Sequence, residues 1–100
     1  MYLIREIFTA KPGQASKLAK MFKKMADTGM PGKVMTDIVG PYNTVVMEME
    51  VKSLAEWEKQ MEEYKSKKPD PNMDPKLAEE MSHYTDMYLT GRREIYQIIE

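Results

Sequence analysis

The spacing of apolar residues changes near the start of the chain. Residues 2–9 read YLIREIFT and are rich in the β-branched and aromatic types that favour strands. After Lys11-Pro12-Gly13 the apolar residues fall three and four positions apart, which is the spacing of one face of a helix. The pattern predicts a first strand over residues 2–9, a turn, and a first helix over residues 14–28.

Two more strands are predicted in the middle of the chain, over residues 33–39 and 44–51. The short turn between them, at residues 40–43, predicts an antiparallel hairpin. In the second of these strands an apolar set alternates with a set that carries two carboxylates: Val45, Met47, Met49 and Val51 against Val46, Glu48 and Glu50.

The rest of the chain predicts two helices and a last strand. Residues 53–56 read SLAE, the capping-box pattern that opens a helix. Asp74 followed by Pro75 opens the next helix, which we expect to end at Gly91 before a final strand over residues 92–100. The order β-α-β-β-α-α-β predicts a ferredoxin-like α+β fold, with helices on one face of an antiparallel sheet.

Length and composition narrow the class of protein. A chain of 100 residues fits one domain over residues 1–100. The net charge of −1 disfavours nucleic-acid binding, and the absence of cysteine excludes disulfides and thiolate metal sites. No apolar run is long enough to span a membrane and no signal-peptide pattern opens the chain, so we expect a cytoplasmic protein.

Both faces of the first and last predicted strands carry large apolar residues. Because helices cover only one face in this fold, the other face would leave an apolar patch in water. A second copy of the chain is the simplest cover, so we expect a homodimer in which two sheets pack face to face and enclose a barrel.

The stretch IREIFTAKPGQASKLAKMFKKM resembles the opening of the dimeric α/β barrel superfamily, which begins with a strand, a Lys-Pro-Gly turn and a helix with Leu and Phe on its inner face. NIPSNAP-type proteins and antibiotic-biosynthesis-type monooxygenases share this opening, and the closing YLTGRREIYQIIE is similar to their last helix and strand. The resemblance implies a dimeric barrel. It leaves the reaction open, because the same turn occurs in families with unrelated activities.

Three side chains are candidates for a catalytic base: Glu48, Glu6 and His83. A carboxylate enclosed among apolar side chains becomes a better proton acceptor, whereas the alternative is an ion-pair layer with arginines such as Arg5. A bulge in the first strand would exchange its faces, so the sequence leaves open whether Arg5 or Glu6 points inward. The single histidine is alternatively an exposed helix residue.

Candidates for ligand contact are Tyr96, Arg5, Trp57 and Met49. Tyrosine and arginine offer polar contacts, and the 11 methionines of the chain offer a pliable apolar lining or ordinary core packing. We expect no metal or other cofactor: no histidine pair has metal spacing, and the first strand lacks the asparagine that haem-degrading relatives use with a tryptophan and a histidine.

The sequence therefore predicts a small homodimeric α/β barrel that binds a small apolar or aromatic molecule or acts as an interaction module. The alternative is a cofactor-independent monooxygenase or isomerase acting on a phenolic or enolisable substrate. A third interpretation is a partner-binding subunit whose barrel is filled by its own side chains. A cavity between the sheets, and an ionisable group in that cavity, would separate the three.

Overall fold

The fold is built on one four-stranded antiparallel sheet, and a computed structural model describes residues 1–28, 32–65 and 75–100. The strands lie in the order β2-β3-β1-β4, and each neighbouring pair is antiparallel. This order confirms the predicted ferredoxin-like α+β fold. The elements are β1 (Tyr2–Ala10), α1 (Ala15–Thr28), β2 (Lys33–Thr36), β3 (Thr44–Val51), α2 (Leu54–Lys65), α3 (Pro75–Ser82), a 3-10 turn (Tyr84–Asp86) and β4 (Tyr88–Gln97).

The first helix covers one face of the sheet and closes the core. Gly13 has a φ of 80°, a conformation that favours glycine, and it turns the chain from β1 into α1. The ring of Phe8 on β1 lies 5.2 Å from the ring of Phe22 on α1, measured between centroids. The buried core consists of residues from α1, β1 and β3: Leu18, Met21, Phe22, Met25, Ala10, Val45 and Met47.

These core contacts identify the two faces of the sheet. Phe8, Val45 and Met47 point into the core, so they face the helices. Because strand side chains alternate, every second residue from these three, together with its cross-strand partner, also faces the helices, and the residues between them face away. We call the second side the helix-free face. The second helix begins as predicted, with the N–H of Glu56 donating to Ser53 Oγ at 3.1 Å.

The second strand is shorter than predicted. It ends at Thr36 instead of residue 39, because the Asp37 carboxylate accepts the backbone N–H groups of Tyr42 at 2.8 Å and Thr44 at 3.0 Å. Both bonds hold the pKa of the Asp37 carboxyl below its ordinary value, and the bond from Thr44 has the larger effect. The loop that they close, residues 37–43, leaves Ile38 and Val39 98% and 95% exposed. We call it the tip loop.

The predicted end of the third helix is wrong. The helix ends at Ser82, and β4 begins at Tyr88 and runs through Gly91, which was expected to stop the helix. Gly91 lies opposite Phe8, and a β-carbon there would approach the Phe8 ring to 3.0 Å. Tyr88 packs on the same ring at 4.9 Å between centroids, and burial raises the pKa of its hydroxyl. The predicted cap Asp74 lies outside the described residues.

Candidate functional site

A row of alternating charges crosses the helix-free face of the sheet. Its members are direct cross-strand partners, one from each strand, and they alternate along their strands with residues that face the helices. The charges run positive, negative, positive, negative from the β2 edge to the β4 edge. We call these four residues the charged row: Lys33, Glu48, Arg5 and Glu94.

Arg5 lies at the centre of the charged row, between two carboxylates. Its Nε is 2.8 Å from Glu48 Oε2, and its Nη1 is 3.5 Å from Glu94 Oε1. The Nε atom is buried, yet it makes no hydrogen bond of suitable geometry in the described part of the chain, so the short approach to Glu48 is a charge contact. The side chains of Arg5 and Glu48 are 34% and 21% exposed, which leaves the pair open to solvent on one side.

Glu94 is the second anchor of the row. The Tyr96 hydroxyl donates to Glu94 Oε1 at 3.0 Å, and Arg92 Nε lies 3.4 Å from Glu94 Oε2. With Arg5, three side chains therefore converge on one carboxylate. The arrangement presents two guanidinium groups and one phenol on the helix-free face, and these groups can hold an anionic or hydroxylated ring by hydrogen bonds and stacking.

Apolar side chains border the charged row. Ile7 is 9% exposed, next to Val46 on β3, and Leu3 lies on the other side of the row between Glu50 and Tyr96. Tyr96 is 48% exposed. The face is thus a charged row between two partly apolar strips, with Arg92 beside Ile7 in one strip and Glu50 beside Leu3 in the other.

A cleft of about 430 Å³ opens beside the charged row. Gly32 forms part of its wall, and a β-carbon at that position would lie 2.6 Å from the backbone oxygen of Glu48, so the close approach requires glycine. A larger cleft, of about 520 Å³, lies at the tip loop, where the carboxylate of Asp37 is already occupied by backbone N–H groups. The smaller cleft therefore carries more of the chemistry; its lining is Leu3, Gly32, Lys33, Glu48, Met49 and Glu50.

The candidates predicted from sequence divide between the two faces. On the helix-free face Arg5 lies between Glu48 and Glu94, and Tyr96 contacts Glu94. Met49 borders the same cleft as Glu48. The open question about the first strand is resolved, because Arg5 faces away from the helices.

Glu6 and Trp57 meet on the helix-covered face through a residue on β4. Arg93 Nε donates to Glu6 Oε1, and the guanidinium carbon of Arg93 lies 5.0 Å from the Trp57 ring centroid. The sheet separates this cluster from Glu48. Glu6 and Trp57 therefore hold α2 against the sheet and do not contact the charged row.

His83 lies in the turn after α3, where it is exposed, and its Nδ1 is 4.0 Å from Asp86 Oδ2. The neighbouring Tyr84 packs toward Phe22, which places this turn on the helix-covered side of the sheet. Within the described ranges, no group of three or more acidic, histidine or cysteine side chains is arranged to hold a metal ion.

Glu94 was missed by the sequence reasoning, although a signal for it exists. It lies two residues before Tyr96 and two after Arg92, so all three share a face of any strand that includes them. Lys33 was also missed as a partner in the row. Its role depends on the register between β2 and β3, which the sequence does not specify.

Comparison with known proteins identifies the fold. No family model matches the sequence, and no curated protein matches it. Among solved structures, a NIPSNAP family protein from Agrobacterium tumefaciens superposes with a TM-score of 0.75 at 10% identity, covering 99% of this chain and 93% of its own. The chain has the fold of NIPSNAP and antibiotic biosynthesis monooxygenase proteins.

Two further structures support that conclusion. An uncharacterized NIPSNAP domain protein from Burkholderia xenovorans has a TM-score of 0.70 at 13% identity, covering 99% of this chain and 95% of its own. An antibiotic biosynthesis monooxygenase has a TM-score of 0.68 at 8% identity and full coverage of both chains. These similarities confirm the resemblance seen at the opening of the sequence. Within the described residues no helix is long and apolar enough to cross a membrane.

Proposed function

We propose that the chain forms a homodimer through the helix-free face and binds a small apolar or aromatic molecule between the two sheets. The observation that carries this proposal is the face itself: apolar strips flank a row of charges and a tyrosine hydroxyl, while α1 and α2 pack on the other side. A face of this kind is suited both to pairing and to holding a ring.

The sheet supplies most, but not all, of the area that a stable dimer interface buries. Four strands about 4.8 Å apart, over about eight residues of about 3.3 Å each, give roughly 500 Å² per copy. Stable interfaces bury about 800 Å² per partner, so side chains at the rim must contribute as well. Exposed apolar residues are available at the ends of the sheet, on the tip loop and at Leu89 and Ile99. Burial of such surface stabilises by about 25 cal/mol per Å².

The chemistry of the face favours an aromatic ligand with a hydroxyl or other polar group. A flat ring can stack on a guanidinium, such as that of Arg5 or Arg92, and its polar group can bond to Tyr96 or Glu94. The apolar strips on either side would exclude water from the ring. Ligand sites of this kind combine a mostly apolar lining with a few placed polar groups.

A second candidate function is a cofactor-independent monooxygenase or isomerase. It is favoured by one observation, that Glu48 borders the 430 Å³ cleft with Arg5 beside it. Glu48 would take a proton from a phenolic or enolisable substrate, and Arg5 would stabilise the anion that remains. An isomerase returns the proton at another atom. A monooxygenase passes electrons to dioxygen, so that a CH₂ group becomes a carbonyl and the second oxygen atom leaves as water.

The proposed binding is tested with 2-naphthol as the probe, by native mass spectrometry and by quenching of naphthol fluorescence. We expect naphthol on the dimer, weakened at least tenfold in Tyr96→Phe or Arg5→Met. Trp57→Phe, on the opposite face, is the matched control and should bind as the wild type does. Binding to a monomer, or equal binding by all four proteins, would contradict the proposal.

The enzyme alternative has its own variants. If a substrate is found, Glu48→Gln should abolish turnover while it preserves binding, because the isosteric amide cannot accept the proton. Glu6→Gln and His83→Ala should leave turnover unchanged, since neither residue contacts the charged row. Turnover retained in Glu48→Gln would show that Glu48 is not the base.

A further inference from the structure

The order of charges in the charged row restricts how a second copy can lie on it. We propose that this row orients the dimer: the two copies are related by a two-fold axis parallel to the strands, so that Arg5 faces the partner's Glu48 and Lys33 faces the partner's Glu94. The proposal rests on the proposed function, since it presupposes that the helix-free faces pair.

Two sheets that pack face to face in a symmetric dimer have their two-fold axis in the plane between them. When the sheets pack in the aligned manner, with about 30° between their strands, the axis runs along the strands or across them. An axis along the strands keeps each residue at its height and reverses the order of the strands. An axis across the strands keeps the strand order and reverses the height.

An axis along the strands makes every contact in the row complementary. The sequence of charges read from β2 to β4 is + − + −, and the reversed partner row reads − + − +. The axis then passes between β1 and β3, the two central strands of the sheet. The same operation places Val46 over the partner's Ile7, which buries apolar groups against each other.

An axis across the strands has no such solution. If it passes through the row, each side chain faces its own copy, and all four contacts join like charges. If it passes at Glu6, three of the four charges lie over apolar side chains of the partner, and only Glu94 meets an opposite charge, on the partner's Arg92. If it passes at Ile4, Glu48 faces the partner's Glu50. Like charges and unpaired charges in a closed interface are strongly unfavourable, so the row favours the axis along the strands, where all four contacts are complementary.

The ion pairs that the charged row makes within one chain fit this arrangement. Arg5 shares its charge between Glu48 and Glu94, and Lys33 makes no ion pair with the residues that the structure describes. The partner's Glu94 would therefore meet an available ammonium group at the β2 edge. The two outer strands, β2 and β4, lie over each other in the dimer.

The absence of cysteine from the sequence allows a direct test. Lys33→Cys and Glu94→Cys are prepared separately, mixed in equal amounts, refolded together and treated with a bismaleimide that spans about 10 Å, the distance between packed sheets. We expect a covalent dimer from the mixture and little from either variant alone. A second pair, Met35→Cys with Arg92→Cys, occupies the next row along the strands and leaves the charged row intact.

Sedimentation of the same samples separates the outcomes. Cross-linking of each variant with itself, at the rate of the mixture or faster, would overturn the orientation while the dimer stands. Dimers that give no cross-link with either pair would also overturn it. Monomers in every sample, the wild type included, would show that the proposed dimer itself is wrong.

Discussion

Replacement of Arg5 by methionine should weaken the dimer far more than it weakens the fold of one chain. Methionine keeps an unbranched apolar stem in place of the arginine stem and removes the guanidinium group. Glu48 and Glu94 then lose the cation that lies 2.8 Å and 3.5 Å from their oxygens. The variant therefore leaves two carboxylates on the helix-free face without their central partner.

The expected magnitude depends on whether the face is covered. In a monomer the Arg5 and Glu48 side chains are 34% and 21% exposed, and partly exposed pairs of this kind contribute about 0.2–1 kcal/mol. In a closed interface the removal of one partner costs about 3–5 kcal/mol. The difference is at least about 2 kcal/mol per copy and about 4 kcal/mol per dimer, which corresponds to roughly a thousandfold rise in the dimer Kd.

The assay compares two arginines on opposite faces. Arg93→Met removes the bond to Glu6 and the contact with Trp57, so it should lower the free energy of unfolding by about 1–2 kcal/mol. Sedimentation equilibrium should show its dimer Kd changed by less than about threefold, which is under 1 kcal/mol. An equal effect of Arg5→Met and Arg93→Met on the dimer Kd would refute the assignment of the interface to the helix-free face.

Other predictions concern the elements that position the row. Leu18→Ala should lower the free energy of unfolding in urea by about 2–5 kcal/mol, because this α1 side chain is fully buried in the core. Gly32→Ala should speed amide exchange in β2, since its β-carbon would lie 2.6 Å from the Glu48 backbone oxygen; unchanged exchange would contradict that contact. Asp37→Ala should speed exchange of the Thr44 amide at neutral pH. In the wild type that protection should be complete above pH 3.8, the ordinary pKa of aspartate, and should be lost only as the pH falls further, because the folded pKa is lowered.

Sequence reasoning succeeded where one physical effect dominated. Alternation of apolar residues with Glu48 and Glu50 predicted the faces of β3, and the predicted bounds, residues 44–51, are those of the strand. It failed at Asp37, where a side chain replaces the ladder hydrogen bonds, and the strand ends early. Tyr84 and Tyr88 lie within the predicted third helix and are four residues apart, which is a helical spacing. In the structure their two rings pack together from a turn and a strand instead.

Part of the candidate site could also be predicted from the sequence. The pairing of strand carboxylates with arginines was among the predicted alternatives, and Arg5 with Glu48 forms such a pair. The choice between Arg5 and Glu6 depended on whether a bulge precedes them. The irregularity in β1 lies at Thr9–Ala10, beyond both residues, and only the register with β4 reveals this.

The proposed ligand site and the proposed orientation both require that two copies of this chain pair through their helix-free faces. The most direct test is sedimentation equilibrium of the wild-type protein over about 1–100 μM, a range in which a dimer of ordinary stability stays associated. We expect a particle of twice 11.7 kDa throughout. A well-folded particle of 11.7 kDa over the whole range would contradict it.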